Sequence, residues 1–86
     1  MSNQSLITER GWECLKEAYR LTPKELQLAK LILAGFNNAE AAASMCISSN
    51  TVYVHQQKLF AKVRSRSRTE LALTFIREAL DTKITQ

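Results

Sequence analysis

The chain has 86 residues, 45% of them hydrophobic, and carries a formal net charge of +4. That is one domain, with room for a single core of short helices but not for a second domain folded around an enclosed active-site cleft. Two glycines and one proline disfavour a turn-rich sheet protein, and frequent Ala, Leu, Lys, Glu and Gln favour an all-α one. Charge is uneven: residues 1–20 carry acids and bases that cancel, whereas residues 41–69 contain no acid and hold Lys58, Lys62, Arg64, Arg66 and Arg68. Such a cluster attracts polyanions, although a solvated basic face is the plainer reading of charge alone. Cys14 and Cys46 lie far apart with no CxxC pattern and read as reduced thiols. The polar start at Met1 to Glu9 is not a secretory leader. The longest apolar run, residues 31–34, is too short to cross a bilayer. A cytoplasmic protein is expected.

Residues 1–5 read as a loose tail, followed by a short amphipathic helix over 8–19 with Trp12, Leu15 and Tyr19 at helical spacing. Gly11 weakens that helix by about 1 kcal/mol relative to Ala. Thr22-Pro23-Lys24-Glu25 is a capping box with proline at the first helical position, and it opens a helix over 23–34. Leu26, Ala29, Ile32 and Leu33 form its inward stripe. Gly35 supplies a left-handed cap that lets Phe36 fold back onto Leu31. Asn38 is expected to cap a very short helix over 39–45, with Ala41, Ala42 and Met45 inward. After a tight connection at Ile47 and Ser48, with Ser48 as N-cap, a helix over 49–63 buries Val52, Leu59 and Val63. Ser67-Arg68-Thr69-Glu70 reads as a second capping box. It opens a last helix over 68–82 with Leu71, Ala72, Phe75, Ile76 and Ala79 on one side.

A short helix, a tight turn and a second helix with a dry inner stripe and a polar outer face describe a helix-turn-helix, although short helices joined by turns also build ordinary bundles. The residues carry a more specific signal. Leu21-Thr22-Pro23-Lys24-Glu25, Gly35-Phe36, Asn38-x-Glu40-x-Ala42, Ile47-Ser48-x-x-Thr51-Val52-x-x-His55, Lys62 and Ser67-Arg68-Thr69-Glu70-Leu71 together resemble the LuxR/GerE-type DNA-binding domain. The resemblance implies four helices, the third reading the major groove and the fourth often making a dimer contact, with the helix over 8–19 as an addition. Residues 1–20 are then a tail and extra helix, and 21–86 the DNA-binding domain. By position, the resemblance assigns base contacts to Tyr53, Val54 and Gln57, and Asn50 joins them on the same face. It assigns phosphate contacts to Thr51, Lys58 and Lys62, with His55, Arg64, Arg66 and Arg68 beside them. Three positions depart from the family pattern: Tyr53 stands where lysine is usual, Arg64 where glycine is usual, and Ala41 where a large aliphatic residue is usual.

Other readings stay open at several residues. His55 is a phosphate contact or a structural histidine bonded to a neighbouring helix. A single histidine gives no zinc site. Tyr53 reads a base or is a partly exposed helix residue, Trp12 and Tyr19 are packing residues, and Cys46 is a small spacer. No Ser, His and Asp cluster, paired carboxylate or glycine-rich phosphate loop is present, so no enzyme, cofactor or metal is expected. The expected function is a transcriptional regulator binding double-stranded DNA, dimeric through Leu73, Ile76 and Leu80 of the last helix, with RNA polymerase or another regulator as a further partner. The alternative is a protein-interaction module of the same fold that titrates another regulator without strong DNA binding, which the uncharged Tyr53 and Gln57 favour. The 86 residues hold no receiver or ligand-binding domain, so the chain stands alone or is part of something longer.

Overall fold

In the computed structural model the backbone is described for residues 7–84 and the side chains for residues 7–80. The tail expected at residues 1–5 lies outside the described residues. Five helices follow one another: α1 (Glu9–Tyr19), α2 (Pro23–Leu33), α3 (Asn38–Met45), α4 (Ser49–Val63) and α5 (Arg68–Ile84). Among the described residues there is no strand, and no helix is long and apolar enough to cross a membrane.

Side chains start each helix. Thr8 Oγ1 accepts the Gly11 N–H at 3.0 Å, and Ser48 Oγ accepts the Thr51 N–H at 3.1 Å. The capping box at α2 is reciprocal: the Glu25 N–H donates to Thr22 Oγ1 at 3.2 Å and the Thr22 N–H to Glu25 Oε1 at 3.0 Å. At α3 the cap is Asn37 rather than Asn38, because Glu40 lies three residues after it and closes a second reciprocal box at 2.8 and 2.9 Å. At α5 the expected box is altered. Ser67 Oγ accepts the Glu70 N–H, but the Glu70 carboxylate takes the N–H of Arg66, one residue earlier than a box requires.

The first four helices also end alike. At each, one N–H reaches back five residues and the one before it three, as for Phe36 N–H to the Leu31 carbonyl and Gly35 N–H to the Ile32 carbonyl, both at 3.0 Å. This double bond pattern needs a left-handed residue at the turn. Gly35 provides it after α2 at φ 92°, but Arg20, Cys46 and Arg64 do so with side chains, at φ 55°, 59° and 59°. A non-glycine residue pays about 1–2 kcal/mol for that conformation. Arg64 therefore keeps the backbone expected of a glycine.

Contacts link α2 with α3, α4 and α5, α3 with α4, and α1 with α5. One cluster runs through the whole: Ile7, Trp12 and Leu15 from the N-terminal segment, Leu28, Ala29 and Ile32 from α2, Ala41, Ala42 and Met45 from α3, Val52, Leu59 and Val63 from α4, and Leu71 and Phe75 from α5. The stripe on α2 is rotated from its expected position. Leu28 is fully buried, whereas Leu26 and Leu33 are only partly so; Phe36 and Ile47 are half-buried. Ala41 is fully buried, so its small side chain is accommodated by close approach rather than by a hole left to solvent. Trp12 meets the Phe75 ring edge-on at 5.9 Å and Tyr19 stacks on the same ring at 5.7 Å, which fixes α1 to α5. Gly11 serves this junction: a Cβ there would lie 2.8 Å from Ile7 Cγ2 and 3.7 Å from the Ala79 Cβ.

Candidate nucleic-acid interface

The turn between α3 and α4 is short because each helix brings its own terminator: the left-handed Cys46 stops α3 and Ser48 starts α4. The buried Val52, Leu59 and Val63 lock one side of α4 against α2 and α3. That fixes what the other side presents. Asn50, Tyr53, Val54, Gln57 and Lys58 are all exposed and recur at the three- and four-residue steps of one helix face; Arg64, the left-handed residue that ends α4, is exposed beyond them. Tyr53 and Val54 stand out, being large side chains left 52% and 49% exposed. Gln57 Nε2 donates to the Tyr53 hydroxyl at 3.2 Å across one turn. Thr51 is exposed and shares its hydroxyl with Ser48 at 2.9 Å, while His55 is half-buried.

The basic residues divide into two groups. The side chains of Lys58, Arg64 and Arg66 are exposed and make no hydrogen bond or ion pair among the described residues. Lys62 and Arg68 are turned to internal work. Lys62 Nζ donates to the Glu25 carboxylate at 2.6 Å and to the Arg20 carbonyl at 2.7 Å. Glu25 is 2% exposed. Burial pushes its carboxyl up, but the Lys62 ammonium and the Thr22 N–H pull harder the other way and hold it below its ordinary value. Arg68 reaches from the start of α5 to the Phe36 carbonyl at 2.6 Å and to Asn38 Oδ1, clamping the loop that precedes the α3–turn–α4 unit. Charge and position in the sequence cannot separate these two from the other cations, because the partners are 37 and about 30 residues away. Glu25 and Asn38 were legible only as local capping residues; their long-range bonds were not.

On α5, Leu73, Ile76 and Leu80 fall along one side, with Leu73 54% and Leu80 52% exposed and Ile76 half-buried. Trp12 is a packing residue, buried against Phe75 of α5 and not available for association.

A short helix, a tight turn and a second helix with its inner side packed and its outer side bare make the fold a helix-turn-helix domain. Residues 19–75 match the family model described as bacterial regulatory proteins, luxR family. The chain belongs to that family, whose members are DNA-binding transcription regulators and not enzymes. It is 43% identical over 56 residues to the tetrathionate response regulatory protein TtrR of Salmonella typhimurium, covering 65% of this chain and 27% of that one. It is 35% identical over 68 residues to the transcriptional regulatory protein YhcZ of Bacillus subtilis, covering 79% and 32%. It is 34% identical over 58 residues to the nitrate/nitrite response regulator protein NarL of Escherichia coli K12, covering 67% and 27%. The matches thus span less than a third of the length of these relatives. No solved structure matches the chain.

Proposed function

We propose that the chain is a cytoplasmic transcriptional regulator that binds double-stranded DNA with sequence preference, laying α4 in the major groove as a homodimer on an inverted repeat. The observation that carries this is the outer face of α4. Its residues Asn50, Tyr53, Val54, Gln57 and Lys58 are exposed, it is flanked by uncommitted cations, and no acid lies between residues 41 and 69. Asn50, Tyr53, Val54 and Gln57 meet base edges. Val54 suits a thymine methyl and Gln57 the two-point edge of adenine. Thr51, His55, Lys58, Arg64 and Arg66 meet phosphates, which give affinity and register but little sequence information. Lys62 and Arg68 support the site from within, holding α4 and the loop before α3. Leu73, Ile76 and Leu80 form the two-fold contact through α5, since a two-fold protein suits a palindromic site. RNA polymerase or another regulator is the further partner of such a complex.

A gel-shift with mixed genomic duplex fragments at low and high salt tests the reading. Retention of a subset of fragments at high salt is expected, with general binding at low salt. Equal, weak binding of every fragment would favour the second reading, an interaction module of the same fold. That reading draws on Tyr53 and Gln57 being uncharged and on Lys62 and Arg68 being engaged inside the domain.

A further inference from the structure

The exposed face of α4 carries one side-chain hydrogen bond between two of its outward residues, from Gln57 Nε2 to the Tyr53 hydroxyl oxygen. Neither side chain makes another hydrogen bond among the described residues, and both are exposed. Building on the DNA-reading function proposed above, we infer that Tyr53 is a positioning residue whose hydroxyl orients the Gln57 amide for adenine.

An amide nitrogen carries two protons, one on the same side as Oε1 and one on the opposite side. Adenine presents an acceptor at N7 and a donor at N6 in the major groove. Only Oε1 and the proton on its own side can meet both at once. A bond to Tyr53 through the opposite proton leaves that two-point edge whole and turned outward. The amide nitrogen faces Tyr53 in the structure, which leaves Oε1 free for the adenine N6 donor. Guanine offers two acceptors, N7 and O6, so the oriented amide would set Oε1 against O6 and reject it. Tyr53 stands one turn before Gln57, where its rigid ring brings the hydroxyl up to the end of the longer, more flexible side chain. A lysine at residue 53, with donors only, could not accept the Gln57 proton and could hold the amide only by Oε1, the atom needed for the adenine N6 donor. Unoriented, Gln57 would have to be ordered at each binding event, a cost that corresponds to about a two- to tenfold loss in affinity for one long side chain.

The test is a double-mutant cycle read as base preference. Duplexes carrying the site preferred by the parent protein, with each position of a half-site changed to the other three pairs, are titrated with the parent, Tyr53→Phe, Gln57→Ala and the double variant. Tyr53 is exposed, so loss of its hydroxyl leaves the core untouched. In the parent, Gln57→Ala should flatten preference at one A·T pair in each half-site. Tyr53→Phe should reduce preference at that same pair about two- to tenfold, and should reduce it no further when Gln57 is already alanine, because the hydroxyl acts through the amide. If Tyr53→Phe changes preference equally in both backgrounds, or weakens all sequences alike, the hydroxyl acts without Gln57 and the inference is overturned. It is also overturned if Tyr53→Phe leaves the preference at the Gln57 position unchanged. A parent with no preference at any position would sink the DNA-reading function as well, and the parent titration alone identifies that case.

Discussion

The Glu25 carboxylate sits with almost no access to water where α2, the end of α1 and the last turns of α4 meet, and Lys62 is its counter-charge. Read in isolation, Glu25 is the third residue of a helix cap and Lys62 one cation in a basic run; both descriptions hold, and neither reveals the pair. Removing Lys62 leaves a buried charge without its partner, which for fully buried pairs costs about 3–5 kcal/mol. Because the Lys62 side chain keeps 32% of its exposure, Lys62→Ala should cost about 2–3 kcal/mol in a denaturant titration. It should leave the salt dependence of DNA binding close to that of the parent, unlike loss of a phosphate contact. The same pair sets an acid limit. The folded Glu25 carboxyl titrates below its ordinary value of 4.5, so its contribution is complete above that pH and is lost as pH falls through the lower, folded value. Glu25→Gln should therefore flatten the loss of stability below about pH 4.5 when melting is followed against pH, and an unchanged acid profile would dismiss the pair as its source. Cys46 carries a separate penalty as a left-handed residue. Cys46→Gly should raise the melting temperature by a few degrees, corresponding to about 0.5–1 kcal/mol, whereas Cys46→Ala should bring no such gain.

At the scale of elements, what was readable in the sequence was what neighbouring residues decide among themselves. Thr22-Pro23-x-Glu25 and Gly35 bounded α2, Ser48 opened α4, and the spacing of Val52, Leu59 and Val63 marked the inner side of α4, which in turn settled which residues lie outward. The rotation of α2 was not readable. That helix is apolar at residues 26, 28, 29, 31, 32 and 33, so periodicity admits two stripes, and only the positions of α3, α4 and α5 choose the one through Leu28. The cap of α3 was read as Asn38, but Glu40 closes its box with Asn37 and Arg68 takes Asn38. The choice of stripe is measurable: Leu28→Ala should cost about 2–5 kcal/mol and Leu26→Ala distinctly less. Equal losses in a denaturant titration would mean that α2 is seated differently. Within the site, the outward set on α4 followed from the helix period, but the division of the cations did not. Whether a lysine points at solvent or at a carboxylate 37 residues away is a property of the assembled fold.

For the whole molecule, α1 changes the character of α5. By covering one side of it with Trp12 and Tyr19, it leaves Leu73 and Leu80 as the large apolar residues open on that helix among the described side chains. A two-fold contact there should be modest, because the stripe is only three residues long. Sedimentation at high micromolar concentration should show a dimer for the parent and a monomer for the Leu73→Glu, Leu80→Glu variant, and a parent that stays monomeric with and without DNA would exclude α5 as the contact. The account as a whole rests on the bare side of α4 meeting the major groove. Amide and side-chain NMR resonances followed during titration with a selected duplex measure that directly. The account predicts that the largest shifts fall on Asn50, Tyr53, Val54 and Gln57, with smaller ones at Lys58, Arg64 and Arg66 and little change at Glu13 and Glu17 on α1. Shifts concentrated on α1 or α5, or none at all at saturating duplex, would contradict it.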